Sequence, residues 1–236
     1  IGYDWLYDQL DDDQRRTIRT AIAEKGLATA TEDQHWHVLS NNWGQVCHAG
    51  ILAGAVAIDS ERPGTAAPFI SDALRHLPFS MTAFAPHGAF PEGPGYWGFA
   101  LEFNVIALEA LRAAGVDIQP LVTMPGFKET PDFLEYAYGA TDERFNYCDC
   151  GPGLRQPDMP VWWFARYFDR PVGPGERRAL ARMLAGKGGG TNSCFLALTL
   201  FHFQPGEVPS NTLSMDWSGE GDKPIVVLRT GWKDSD

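Results

Sequence analysis

Residues 93–114 constrain the fold most. Tyr96, Phe99, Phe103, Ile106, Ala110 and Ala114 recur at three- and four-residue steps, and Trp97, Leu101 and Leu108 add a second apolar flank. A helix apolar on two flanks must be covered from several sides. Pro94 suits its first turn and Gly115 its end. Such a helix requires other helices around it, and the rest of the chain supplies them. Residues 11–25 combine an acidic first turn with Ile18 and Ile22 four apart, ahead of Gly26. Residues 43–59 form an Ala- and Gly-rich helix after a Ser-Asn-Asn cap, with small residues that admit close neighbours. Further helices are expected over 65–84, interrupted at Pro78, and over 129–138, 159–169, 175–186 and 191–202. Only 224–230, with Ile225, Val226, Val227 and Leu228 in a row, reads as a strand. Loops rich in Gly, Pro and Asn cover 139–158 and 203–223, and loops of that length often carry function.

The expected architecture is therefore mainly α: antiparallel helices stacked around a centre, with a β region beginning at the C-terminal edge. At 236 residues, 44% of them hydrophobic and 12% aromatic, the chain can bury a real core. A net charge of −11 argues against a nucleic-acid partner. It also means that any anion must be met by neutral donors or a local basic group. No apolar run is long enough to span a membrane; residues 49–58 come nearest and read as a tightly packed helix. Both ends run straight into patterned segments, so the chain reads as a piece of a longer protein.

Two segments could carry chemistry at helix starts. In SNNWGQVCHAG (40–50), one of Asn41 and Asn42 caps the helix while Trp43 packs; alternatively the spare amide, backbone N–H groups and helix dipole bind a carboxylate. In EGPGYWGF (92–99), Tyr96 is either a satisfied core tyrosine or a phenol whose ionisation the dipole favours. On the second reading Gly93, Gly95 and Gly98 leave space for a ligand. FNYCDCGPG (145–153) places Asn146, Tyr147 and Asp149 on a loop that is either solvated or a rim for sugar hydroxyls. Glu92, Glu102 and Asp149 are candidates for a hydrolytic carboxylate pair.

Of the histidines, His35 and His37 have a strand-like metal spacing but no third ligand beside them in sequence; no metal site and no cofactor is expected. His48 and His202 read as packed core residues, and Trp162 and Trp163 likewise. Cys47, Cys148, Cys150 and Cys194 lack zinc-site spacing and read as scattered thiols or one long-range disulfide.

Taken in order, YDWLYDQL (3–10), NNWGQVCHAGILAGAVAI (41–58), HGAFPEGPGYWGFALEFNVIALEAL (87–111), FNYCDCG (145–151) and PIVVLRTGW (224–232) resemble the heparinase II/III-like polysaccharide lyases, which include alginate lyases. The resemblance spans nearly the whole chain. It implies an incomplete (α/α) toroid over 1–215, then a linker and the first strand of a β-sandwich domain over 216–236. It implies β-elimination on an acidic, uronate-containing polysaccharide in the periplasm or outside the cell. Tyr96 matches the family's proton-transfer tyrosine, and Asn41 or Asn42 its carboxylate neutraliser. Trp43, Gln45, Glu92, Trp97, Asn146 and Tyr147 would line the substrate. Two departures stand out. His87 occupies a position that is often acidic in the family, and the catalytic histidine expected after the last strand lies past Asp236, so this piece alone should be weak or inactive. A toroid glycoside hydrolase with paired carboxylates and a non-catalytic carbohydrate-binding module are the competing readings.

Overall fold

A computed structural model describes residues 1–32, 34–187, 195–204 and 213–232. The chain is mainly helical with a small two-stranded antiparallel sheet, and it divides into two compact units. The first comprises residues 1–81 and 103–121, the second 82–102 and 122–236. The sheet belongs to the second unit.

In the first unit, α1 (Gly2–Trp5) and a short turn lead to α2 (Asp12–Ala21). Asp11 and Gln14 close a reciprocal capping box, with Gln14 N donating to Asp11 Oδ1 at 2.8 Å and Asp11 N to Gln14 Oε1 at 3.0 Å. The helix widens into a π-turn over Ile22–Leu27. Next come α3 (Asn42–Asp59) and α4 (Ala66–Met81), packed against each other. Tyr3, Leu27, Ala55, Ile58 and Ala66 form the buried centre here, with Ile18, Ile22 and Phe69 against it. At Gly54 a Cβ would sit 3.3 Å from Ile22 Cγ2, so the missing side chain lets the π-turn lie close to α3. The interruption expected at Pro78 does not occur. The proline lacks one N–H, but the bonds on either side carry α4 through to Met81. His35–Val38 is not strand-like either. It is a 3₁₀ turn, with His37 N donating to Gln34 O and Leu39 N to Trp36 O.

The long central helix, α5 (Pro94–Ala113), has its first half in the second unit and its second half in the first. α6 (Gln119–Val122) follows it. The second unit also contains α7 (Thr130–Tyr136), α8 (Met159–Phe168), α9 (Pro174–Leu184) and α10 (Leu196–His202). Residues 191–194 of the last expected helix lie outside the described residues. An aromatic core runs through Phe84, Phe90, Phe127 and Phe164, with successive ring centroids 5.3–5.7 Å apart from Phe90 to Phe127 through Phe84 and 4.9 Å from Phe127 to Phe164. Trp162, Trp163 and His202 are buried, as expected.

Strands β1 (Asp216–Gly219) and β2 (Ile225–Leu228) pair in the register Asp216 to Leu228 and Gly219 to Ile225. The sequence reads β1 as loop because Asp-Trp-Ser-Gly has no apolar alternation. Its strand is held instead by pairing with β2 and by Trp217, which stacks on Tyr136.

Candidate functional site

The second unit assembles a site at the start of α5. Gly93 adopts φ +90°, and a Cβ there would lie 2.8 Å from Tyr147 O and 2.9 Å from Cys150 Cβ. Gly95 N donates to Cys150 Sγ at 3.1 Å, and the Tyr147 hydroxyl donates to Phe90 O at 3.0 Å. The loop after α7 is therefore clasped onto the EGPGYW turn, and bridges from Tyr138 to Arg144 and from Glu143 to Leu154 give it a fixed shape. This corrects the expected use of the glycines. The space they leave is filled by protein: Tyr147 and Cys150 at Gly93, Arg144 and Cys150 at Gly95, and the Asp158 carboxylate at Gly98.

Tyr96 is half-buried on the first turn of α5, its ring edge-on to Phe99 at 6.1 Å. Trp97 is fully buried, and its indole N–H donates to Thr130 Oγ1 at 2.8 Å, which in turn donates to Gly88 O at 2.7 Å. It pins the helix start and offers no face to a substrate, contrary to expectation. Asn146 is exposed, and Glu92 is half-buried. Burial raises the Tyr147 phenol, and its hydroxyl is already used on Phe90 O, so its place is structural.

Beside this turn lies a cavity of about 180 Å³ lined by Phe99, Glu102, Tyr138, Arg144, Gln156 and Asp158, among others. Gly98 and Glu102 lie four apart on α5, so Asp158 over Gly98 and the Glu102 carboxyl share one helix face. Burial, and then the charge of Asp158, push Glu102 up to about 8. Burial also raises Asp158, to about 6, against the opposing pull of Arg155 and Arg144. Glu102 is raised further than Asp158, so of the two Glu102 is the one favoured to keep its proton, the division of labour that acid–base pairs use. The expected partners Glu92 and Asp149 are not part of this cavity.

Asp158 was not among the expected site residues; it ends the loop expected over 139–158. It occupies the N-cap of α8 but makes no capping bond. Instead its backbone N donates to Glu176 Oε1 at 2.8 Å, a carboxylate that also accepts from Trp162 Nε1. Glu176 lies 3.8 Å from Arg155 Nε, and Arg155 grips Glu135 with two bonds of 3.0 and 2.7 Å. This buried network holds the 155–158 segment, and so fixes where Asp158 points.

The first unit carries Asn41, Asn42, Trp43 and Gln45 on the opening of α3. Asn41 Oδ1 accepts from Trp43 N at 3.1 Å, which makes Asn41 the cap and leaves its Nδ2 as the donor end of the amide. Asn42 is buried, Trp43 is half-exposed, and Gln45 is fully buried with neither side-chain polar atom hydrogen-bonded. His48 is buried with Nδ1 on Gly44 O at 2.6 Å, a packed core histidine as expected. His37, for which the sequence offers no third ligand nearby, meets His48, Asp72 and His76. In the sequence, the trace of that grouping is Asp72 and His76 at i and i+4 on α4.

Cys47, Cys148 and Cys150 are free thiols, and Cys194 lies outside the described residues. No helix among the described residues is long and apolar enough to cross a membrane. No protein-family model and no curated protein significantly matches the chain.

Proposed function

We propose that the chain is the helical part of a polysaccharide lyase, an incomplete (α/α) toroid with the start of a β-sandwich, acting on a uronate polysaccharide in the periplasm or outside the cell. One observation carries the reading. The EGPGYW turn and the FNYCDC loop, far apart in the chain, are clasped together, with Tyr96 half-exposed beside them while its neighbour Trp97 is buried. Two segments of the resemblance thus form one local assembly at the turn that carries Tyr96.

In the proposed reaction the Tyr96 phenolate takes the C5 proton of the uronate. The C5–H electron pair becomes the C4–C5 double bond as the C4–O bond breaks, and the new phenol returns its proton to the leaving oxygen. Each proton transfer supplies roughly 10²- to 10⁴-fold. Neutralising the uronate carboxylate stabilises the enolate-like transition state. We assign that role to Asn41, whose capping bond spends Oδ1 and leaves Nδ2 to donate.

The test is ultraviolet absorbance of the unsaturated uronate product, with alginate and glycosaminoglycan substrates. It is run on the chain and on a form extended past residue 236. Tyr96→Phe should lower turnover at least 100-fold with an unchanged unfolding midpoint; retained turnover rejects the assignment.

A second reading is favoured by the ionisation of Glu102 and Asp158: hydrolysis with Glu102 as acid and Asp158 as base. It predicts new reducing ends without ultraviolet absorbance, abolished by Asp158→Asn. Saccharide binding with neither product would leave only a binding module.

A further inference from the structure

We propose that His37, His48, Asp72 and His76 form a binding site for a structural divalent transition-metal ion, of which zinc is the best fit. One ligand atom from each of the four lies within 4.8 Å of the other three. His37 comes from the 3₁₀ turn, His48 from α3, and Asp72 and His76 from successive turns of α4.

Three nitrogen–oxygen spacings around the Asp72 carboxylate, two to Oδ2 and one to Oδ1, lie near those of a tetrahedral ion. Metal–ligand bonds of about 2.0–2.1 Å at tetrahedral angles put neighbouring ligand atoms roughly 3.3–3.5 Å apart. His37 Nε2 lies 3.1 Å from Asp72 Oδ2, His48 Nε2 3.7 Å from the same oxygen, and His76 Nδ1 3.0 Å from Asp72 Oδ1.

The hydrogen bonding leaves a gap that a cation fills. His48 Nδ1 faces Gly44 O at 2.6 Å and must donate its proton there. Its Nε2 is then a bare lone pair, and it faces a carboxylate oxygen, a second acceptor. The imidazole is buried and the carboxylate is part-exposed, and a cation between these two acceptors would satisfy both. Neither His37 Nε2 nor His48 Nε2 makes a hydrogen bond, although both side chains are more than nine-tenths buried. A ring nitrogen donating to a backbone carbonyl while the other turns to a shared point is the usual second contact of a metal-bound histidine. Trp36 closes one side, edge-on to His37 at 4.2 Å and to His48 at 4.7 Å.

Three imidazoles and one carboxylate suit zinc rather than calcium or magnesium, which prefer all-oxygen sites. All four positions come from the protein, the mark of a structural rather than a catalytic ion. The ion would tie the 35–38 turn to α3 and α4, just ahead of the Asn41 cap.

The experiment is metal analysis of the whole chain after chelation, reloading with Zn(II) and dialysis, with Co(II) as a spectroscopic probe. The wild type should retain one equivalent, show the intense visible bands of tetrahedral Co(II), and unfold at a higher temperature with zinc than without. Asp72→Asn and His76→Gln should each weaken zinc binding at least 100-fold. His76 is only part-buried, so His76→Gln should keep the wild-type circular dichroism even if His48→Gln does not fold. Absence of retained metal in the wild type, a six-coordinate Co(II) spectrum, or zinc binding by both variants as tight as that of the wild type would overturn the proposal.

Discussion

Replacing Glu102 by Gln should change how stability depends on pH, and the structure gives the sign and the size. The carboxyl ionises near 4.5 in an unstructured chain and at about 8 in the fold, through burial and the neighbouring Asp158. Between those values the folded state holds a proton that the unfolded state has released. Stability contributed by the neutral acid is therefore complete below 4.5 and is lost as pH rises through 8. The full difference corresponds to a ceiling of about 5 kcal/mol. The side chain is part-exposed towards the cavity, and solvent screening reduces this to about 2–3 kcal/mol. Glutamine keeps the shape and cannot ionise. In urea unfolding from about pH 5 to about pH 9, the stability of the variant minus that of the wild type should climb by that amount and level off above about pH 8. Asp158, raised for the same reason, leaves a smaller slope of the same sign in the variant. A difference that stays flat across the range would refute the assignment of Glu102 as a neutral acid.

Two further substitutions test the supporting structure. A Cβ at Gly175 would run into the Arg155 guanidinium and sit 3.0 Å from Glu135 Oε2. Gly175→Ala should therefore force the buried pair apart and cost about 3–5 kcal/mol in chemical denaturation. The control is Gly50→Ala, in open space on α3, which should stabilise by about 0.5–1 kcal/mol. Asn41→Asp keeps the capping acceptor and should unfold within about 0.5 kcal/mol of the wild type. It places a negative charge where the proposal needs an amide donor, so turnover of a uronate substrate should collapse in the ultraviolet assay.

The sequence by itself determined the longer helices and their order. Apolar spacing at three and four residues marks α5 within a residue or so at each end, and an acidic first turn and an Asn at a helix start mark α2 and α3. These signals are local, because a helix closes its own hydrogen bonds within four residues. The same locality explains the errors. β1 has no period of its own and exists because β2 lies beside it. Gly93, Gly95 and Gly98 read as room for a ligand, but the atoms that fill that room lie about fifty to sixty residues further on. Asp158 falls at the end of an expected loop, and the buried Glu176–Arg155–Glu135 network holds its segment beside the cavity that Glu102 lines. His37 reads as lacking a third ligand until α3 and α4 bring His48, Asp72 and His76 to it. Residue types and helix faces are written along the chain. Which side chains share a dry space is set by packing between distant segments, and that shared burial is what shifts their ionisation and orients their lone pairs.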